Sequence, residues 1–324
     1  MTTTHIAGPN LAAVLRERTR TRLRPRYEGA NICTWIGFKH VNYLVEEAVL
    51  EHLRSGGLAP GELYERYGLG VDLVDLDTRV LHAFHIDDVV LADVTPLDPV
   101  DGELAFSVVL HVDGDEPIRA ATARVRVVLR RDSGDTPEAP PELRPITTPA
   151  IRRTERKFAT APGGNEFHWS WRIPYFYCHF TERLQMSGYL RLMEEAVDLF
   201  LEQRGISIRT LLDEQDWIPV VPRSRVTILD EVRMEQELDL VFTVQNVFKG
   251  LTYDARLDWY VQDQHGRRLV AVGHITHGYA LIENRRDWHL VEFDERMLNA
   301  LSSPPAGATA VRDRGRTATG EPRG

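Results

Sequence analysis

The strongest constraint on this chain is an internal repeat. The run Glu46-Glu47-Ala48-Val49 returns as Glu194-Glu195-Ala196-Val197, and the same displacement of 148 positions carries Gly57 onto Gly205. Two copies of one unit must therefore fold in one chain, each with its own share of core. Both runs lie in stretches with helical apolar spacing. These are Leu44, Val45, Ala48, Val49 and Leu53 in the first copy, and Leu190, Leu192, Met193, Ala196, Val197 and Phe200 in the second. Such positions cover well over half of a helix's circumference, so each helix needs a surface that wraps it. Asn42 and Ser187 are the expected N-caps, and Gly57 and Gly205 stand where a left-handed residue closes a helix.

Strands follow each helix. Alternation of apolar and polar residues predicts them at 70–81, 89–96, 103–113 and 119–130 in the first half, and at 218–229, 237–248, 251–262 and 268–282 in the second. Period two over RVRVVLR and ARLDWYVQ is that of half-buried antiparallel strands, and FHWSWRIP adds a leading strand before the second helix. An antiparallel sheet curled around one apolar helix satisfies this order, because the concave face and the wide stripe cover each other. The fold class read from the residues is α+β, in duplicate, and edge strands of the two units can join so that the chain forms its own pseudo-dimer.

Residues 131–166 are rich in Pro, Gly, Thr and charge and read as a linker with a boundary near Ala150. The expected division is a first unit over 1–150, a second over 151–301, and a disordered tail over 302–324 whose small polar residues bury too little to offset ordering entropy. The chain of 324 residues carries 39 Lys+Arg against 48 Asp+Glu, a net charge of −9 that offers no electrostatic case for nucleic acid or an anionic membrane. No apolar run approaches bilayer length, and the start MTTTHIAGPN lacks a secretory pattern, so a cytoplasmic location is expected. Cys33 and Cys178 are too few for a disulfide framework and are expected to be small, reduced packing residues.

Two short runs carry a resemblance. Lys39-His40-Val41-Asn42-Tyr43-Leu44 with Glu46-Glu47-Ala48, and Tyr189-Leu190-Arg191-Leu192-Met193-Glu194-Glu195-Ala196, resemble the G-H-V-N-N-x-x-Y-L-x-x-x-E-E-A-like run that enters the central helix of hot-dog acyl-CoA and acyl-ACP thioesterases. The first half keeps His-Val-Asn but is about three residues shorter before its Tyr-Leu, and the acidic residue that many members carry ahead of the run is replaced in the second half by His179. His179-Phe180-Thr181-Glu182-Arg183-Leu184-Gln185-Met186-Ser187-Gly188-Tyr189-Leu190 is also similar to the H-F-P-G-x-P-V-M-P-G-x-L signature of 3-hydroxyacyl-ACP dehydratases, with the prolines lost. That family completes its site with an acid on the partner helix. Met193 stands at the matching position of this half, so Glu46 or Glu47 of the first repeat would supply it. The resemblance implies two hot-dog units in tandem, an acyl-CoA or acyl carrier protein as partner, and a monomeric pseudo-dimer or a homodimer.

A thioester carbonyl needs donors for its developing oxyanion, an activated water or nucleophile, and a slot for the acyl chain. The N–H groups at the start of each central helix offer the donors. His40, Asn42 and Glu46 are candidate proton shuttle, water-orienting amide and base, with Asn42 and Glu46 one turn apart. The same residues also read as a loop histidine, a simple cap and a solvated carboxylate. His179 is a candidate base for a proton next to the thioester carbonyl, with Glu182 three residues on to orient it. Glu194, Glu195, Asp198 and Glu202 form an acidic stripe with Arg191, of which at most one of Glu194 and Glu195 turns inward. His274 and His277 are separated by an odd number on the last strand and make a poor metal pair. There is no G-x-S-x-G, P-loop, G-x-G-x-x-G or H-E-x-x-H, and no cofactor or metal is expected. The leading expectation is a thioesterase in lipid or polyketide-type metabolism. The alternatives are a dehydratase or enoyl-thioester lyase or isomerase, and a non-catalytic acyl-binding protein.

Overall fold

A computed structural model describes residues 9–132, 134, 136–153, 165–264, 266–282, 288–302 and 311–312. The first repeat holds α1 (Leu11–Arg16), β1 (Thr19–Leu23), α2 (Phe38–Ser55), α3 (Pro60–Tyr67), β2 (Leu69–Val80), β3 (Val90–Val100), β4 (Glu103–Val112) and β5 (Ile118–Arg131). A short β6 (Thr147–Thr148) lies between the repeats. The second holds β7 (Asn165–Arg172), α4 (Met186–Glu202), α5 (Ile208–Gln215), β8 (Trp217–Ile228), β9 (Glu237–Phe248), β10 (Thr252–Asp263), β11 (Gly266–Ile282) and β12 (Trp288–Leu290). α6 (Glu295–Ser302) and β13 (Val311–Arg312) close the chain.

The displacement of 148 read from the helices holds far beyond them: it carries the first residue of α2 onto that of α4, and both ends of α3 onto those of α5 and of β2 onto those of β8. One sheet runs β1-β3-β4-β5-β2-β8-β11-β10-β9-β7-β13, so the first five strands are mirrored in order by the next five. Each repeat wraps one helix. Val45, Ala48, Val49 and Leu53 are sealed in the first, and Met193, Ala196, Val197 and Phe200 in the second. α2 and α4 close alike: Gly57 and Gly205 both have φ 75°, and the next residue donates back to the helix, Leu58 N to Leu53 O at 2.8 Å and Ile206 N to Leu201 O at 3.0 Å. Glycine is required there because a side chain resists that left-handed turn.

The repeats meet at β2 and β8, where Asp77 pairs with Arg225, residues that are 148 apart and therefore lie on the pseudo-twofold axis. Equivalent positions carry opposite charges: Arg223 binds Asp77 and Arg225 binds Asp75, each through two guanidinium nitrogens. A true homodimer would set like charge against like here. Duplication allowed the two copies to become complementary.

Three expectations need correction. The N-caps are Gly37 and Gln185, not Asn42 and Ser187. The apolar stripe begins a turn earlier than its aliphatic residues suggest, with buried Phe38 and Met186 as first helical residues. The predicted linker is a packed strap over much of its length. Leu143, Ile146 and Ile151 are buried, and Arg153 donates to backbone carbonyls on both sides of the junction, Val74 O at 3.0 Å and Ile228 O at 3.3 Å. Its residues 154–164 lie outside the described residues. Of the tail expected to be disordered, Val311–Arg312 pair with β7, while 303–310 and 313–324 lie outside the described residues.

Candidate active site

A cavity of about 580 Å³ opens where the start of α2 faces α4 and the strands of the second repeat. That is a volume suited to a drug-sized or acyl ligand. Gly37 and Phe38 form one wall, Glu194, Val197 and Asp198 of α4 another, and Ile275 and His277 of β11 a third. Gly37 has no side chain to cap the helix, and no side-chain cap bond is made. His40 N and Val41 N donate to Gly37 O at 3.0 and 3.2 Å, which leaves the N–H groups of Phe38 and Lys39 at the positive end of the helix dipole. Lys39, in that turn, binds Glu194 of α4, which ties a carboxylate of one repeat to the donor turn of the other.

One turn further along α4, Asp198 is half-buried in the same cavity. Burial, then the neighbouring Glu194, raises its pKa to about 7, with Lys39 opposing. His277 is buried and also lines the cavity; burial holds its pKa down at about 3, so its ring is neutral. Among the described residues, the Nδ1 of His277 and the hydroxyls of Tyr253 and Tyr279 beside it have no hydrogen-bond partner. An unsatisfied buried polar atom costs about 1–3 kcal/mol, so three together are a costly feature.

Of the candidate catalytic residues read from the sequence, Glu194 alone lines this cavity, and its neighbour Glu195 is exposed. His40 is a buried residue of α2, not a loop histidine. Its ring packs edge-on to Tyr43 with centroids 4.9 Å apart, and Nε2 lies 3.6 Å from Glu28; burial and then Lys39 lower its pKa. Asn42 is a buried tie between the repeats: Nδ2 donates to Phe38 O at 2.9 Å and Ser224 Oγ at 3.1 Å, and Oδ1 accepts from Thr78 at 2.7 Å. Glu46 is half-buried, its pKa raised to about 7 by burial and then by Glu47, while Glu47 pairs with Arg54 at 2.7 Å.

His179 and Glu182 are both exposed and in left-handed backbone, with φ 49° and 59°. Burial lowers the pKa of the His179 ring, with Asp72 and Arg191 as the charged groups acting on it, and among the described residues no hydrogen bond or ion pair joins it to Glu46 or Glu47 of α2. Cys178 is buried, and burial raises its pKa to about 11, which keeps the thiol protonated. The sequence marks Asp198 only as part of the acidic stripe and His277 only as half of a poor metal pair, neither as a site residue. The signal available for Asp198 was its position four residues after Glu194, which places both on one helix face.

No family model matches the chain, and no curated protein matches it by sequence. Solved structures do match. A protein assigned as an oleoyl thioesterase from Lactobacillus plantarum is 12% identical with a TM-score of 0.60, over 83% of this chain and 97% of that one. The 12:0-ACP thioesterase from Umbellularia californica is 11% identical with a TM-score of 0.56, over 85% and 94%. An acyl-ACP thioesterase from Bacteroides thetaiotaomicron VPI-5482 is 10% identical with a TM-score of 0.53, over 80% and 97%. The fold is a double hot-dog.

A double hot-dog has two pseudo-equivalent interfaces, and in this one they differ. Beside the start of α4, Arg183 and Asp72 form a buried ion pair at 2.7 Å, and Gln185, the N-cap, donates to Thr181 Oγ1 at 2.7 Å and to Arg183 O at 3.2 Å. The displacement of 148 maps these three onto Trp35, Val220 and Gly37, all of which line the cavity at α2. Gly70 belongs to the same packing, since a Cβ there would lie 2.6 Å from Nη2 of Arg183.

Proposed function

We propose that this double hot-dog protein hydrolyses an acyl thioester, carried on coenzyme A or on an acyl carrier protein, at the cavity beside the start of α2. The observation that carries the reading is the tie between Lys39 and Glu194, which sets a carboxylate against an uncapped helix turn inside an apolar slot. In this reading the thioester oxygen accepts from the N–H groups of Phe38 and Lys39 at the start of α2, where developing negative charge is best stabilised. Glu194 takes a proton from water as the water oxygen bonds to the carbonyl carbon. Collapse of the tetrahedral intermediate breaks the carbon–sulfur bond, and the proton passes to the departing thiolate. The acyl chain lies against Phe38, Val41, Val197 and Ile275.

The names of the matching structures, two of them acyl-ACP thioesterases, support this substrate class. Work on a soluble carrier fits the expected cytoplasmic location, lipid or polyketide-type metabolism, and a chain that supplies both halves of its own interface. No helix of the described residues is long and apolar enough to cross a membrane. Thiol release from a panel of acyl-CoA and acyl-ACP esters tests the proposal. Turnover on at least one carrier is the expected result. An enoyl absorbance change without thiol release, or binding without either, overturns it.

A further inference from the structure

His277 of the cavity wall stands in front of a polar cluster that the fold does not require. Tyr253 and His277 are direct cross-strand partners on β10 and β11, with ring centroids 5.3 Å apart, and Tyr279, two residues on, lies 5.1 Å from His277. All three are buried, and each holds a polar atom without a hydrogen-bond partner among the described residues. His277 and Asp198 face the cavity, and the charge of Asp198 acts on both tyrosines.

The first repeat supplies the control. Asp72 pairs with Val128 in one repeat, and Val220, its equivalent, pairs with Gly278 in the other. His277 therefore corresponds to Val127, Tyr279 to Leu129, and Tyr253 to Leu104, the cross-strand partner of Val127. The helical equivalent of Asp198 is Leu50. Four apolar residues build the same corner of the first repeat, so the architecture does not require the polar set.

We propose that Asp198 and His277, backed by Tyr253 and Tyr279, form a subsite for a neutral oxygen group, a hydroxyl or ketone, carried on the acyl chain beyond the thioester. The proposal rests on the thioester reading and adds the substrate class. A neutral imidazole and two phenols supply both donors and acceptors, which suits an uncharged oxygen. A carboxylate tail would meet Asp198. Asp198 lies four residues past Glu194, about 6 Å of helical rise, so the recognised oxygen sits several carbons from the reacting carbonyl. A site built to hydrogen-bond a hydroxyl rejects the chain that lacks it, because its own polar groups are then left unpaired.

The test uses the full chain, dodecanoyl-CoA, and a series of dodecanoyl-CoA esters with one hydroxyl moved carbon by carbon along the acyl chain. Thiol release gives kcat/KM for each. One hydroxyl position is expected to exceed the plain ester by about tenfold or more. Tyr253→Phe, Tyr279→Phe and the pair Asp198→Leu with His277→Val should each bring that ratio toward one. The two phenylalanine variants remove a single oxygen each and keep the packing. Preference for the plain ester over every hydroxylated one overturns the subsite. So does an equal loss on both substrates, which would mark a cluster that holds water or packing only. If no ester releases thiol, the hydrolase reading fails, and calorimetric binding of the same esters decides the subsite: tighter binding of one hydroxylated ester upholds it, and equal or weaker binding overturns it.

Discussion

The two helix starts of this double hot-dog are equivalent in sequence position and opposite in use. At α2, Trp35, Gly37 and Val220 surround open space, with Glu194 and Asp198 facing it. At α4, the equivalent Arg183, Gln185 and Asp72 fill the space with a buried, hydrogen-bonded ion pair, and the equivalents of Glu194 and Asp198 are Glu46 and Leu50. The fold supplies a donor turn twice. Three side chains decide which one a substrate can reach.

The sharpest way to break this comparison is to neutralise the equivalent carboxylates one at a time. Glu194→Gln is expected to lower kcat/KM for thioester hydrolysis by about 10²–10⁴, the range of a lost general base. Glu46→Gln should leave hydrolysis near that of the parent. Equal losses in the two variants would mean that both interfaces work, and a loss confined to Glu46→Gln would place the chemistry at α4.

The plugged interface makes a claim about stability. Arg183→Met strands Asp72 in a buried position, and breaking a buried pair from one side costs about 3–5 kcal/mol. Asp72→Val in the same chain removes the stranded charge and should restore most of that loss. Urea unfolding of the parent, the single variant and the double variant measures both steps. If the double variant is no more stable than Arg183→Met, the ion pair is not what fills the space beside α4, since Asp132 also contacts Arg183 and would then carry the effect.

Much of the architecture was legible because periodicity and duplication report the same thing twice. The strands predicted at 70–81 and 218–229 became β2 and β8 within a residue or so at each end, and the glycine stops of α2 and α4 are as read. The short helices α3 and α5 and the strand β1 escaped, being too brief to display a period. The site was legible only in part. Glu194 was named, but its partner Lys39 is 155 residues away, and no local pattern announces such a contact. Asn42 looked like a cap because its true partners, Ser224 and Thr78, belong to strands brought together by the tertiary fold. His277 was weighed against His274 as a metal pair, when its informative neighbour was Tyr253 on the adjoining strand. The family motifs point to both helix starts: the thioesterase-like run from Lys39 lies at the opening beside α2, and the dehydratase-like run 179–190 marks the plug at α4.

The smallest expected effect compares two carboxylates on the equivalent helices by their response to pH. Asp198 and Glu46 both have folded pKa values raised to about 7. A carboxyl with a raised pKa holds its proton more tightly in the folded chain, so the unfolded chain is the better acid. Stability then falls as pH rises from the ordinary carboxylate value near 4 up to about 7, and is level above and below that window. Asp198→Asn removes one such group. It should match the parent at the acid end and exceed it at pH 8 by about 1–2 kcal/mol, the effect being held down by solvent screening of a half-buried group. Glu46→Gln should behave with the same sign, because the cause, burial, is the same. The two differ in what a ligand does to them. Asp198 shares the cavity with Glu194, so acyl chain seated there removes water from its carboxyl and carries the fall in stability to higher pH, whereas Glu46 stands outside that cavity. Unfolding curves for the Glu194→Gln chain across this pH range, with and without bound dodecanoyl-CoA, separate the cases. A ligand-dependent shift that survives Asp198→Asn and disappears with Glu46→Gln would reverse the assignment of open and closed interfaces.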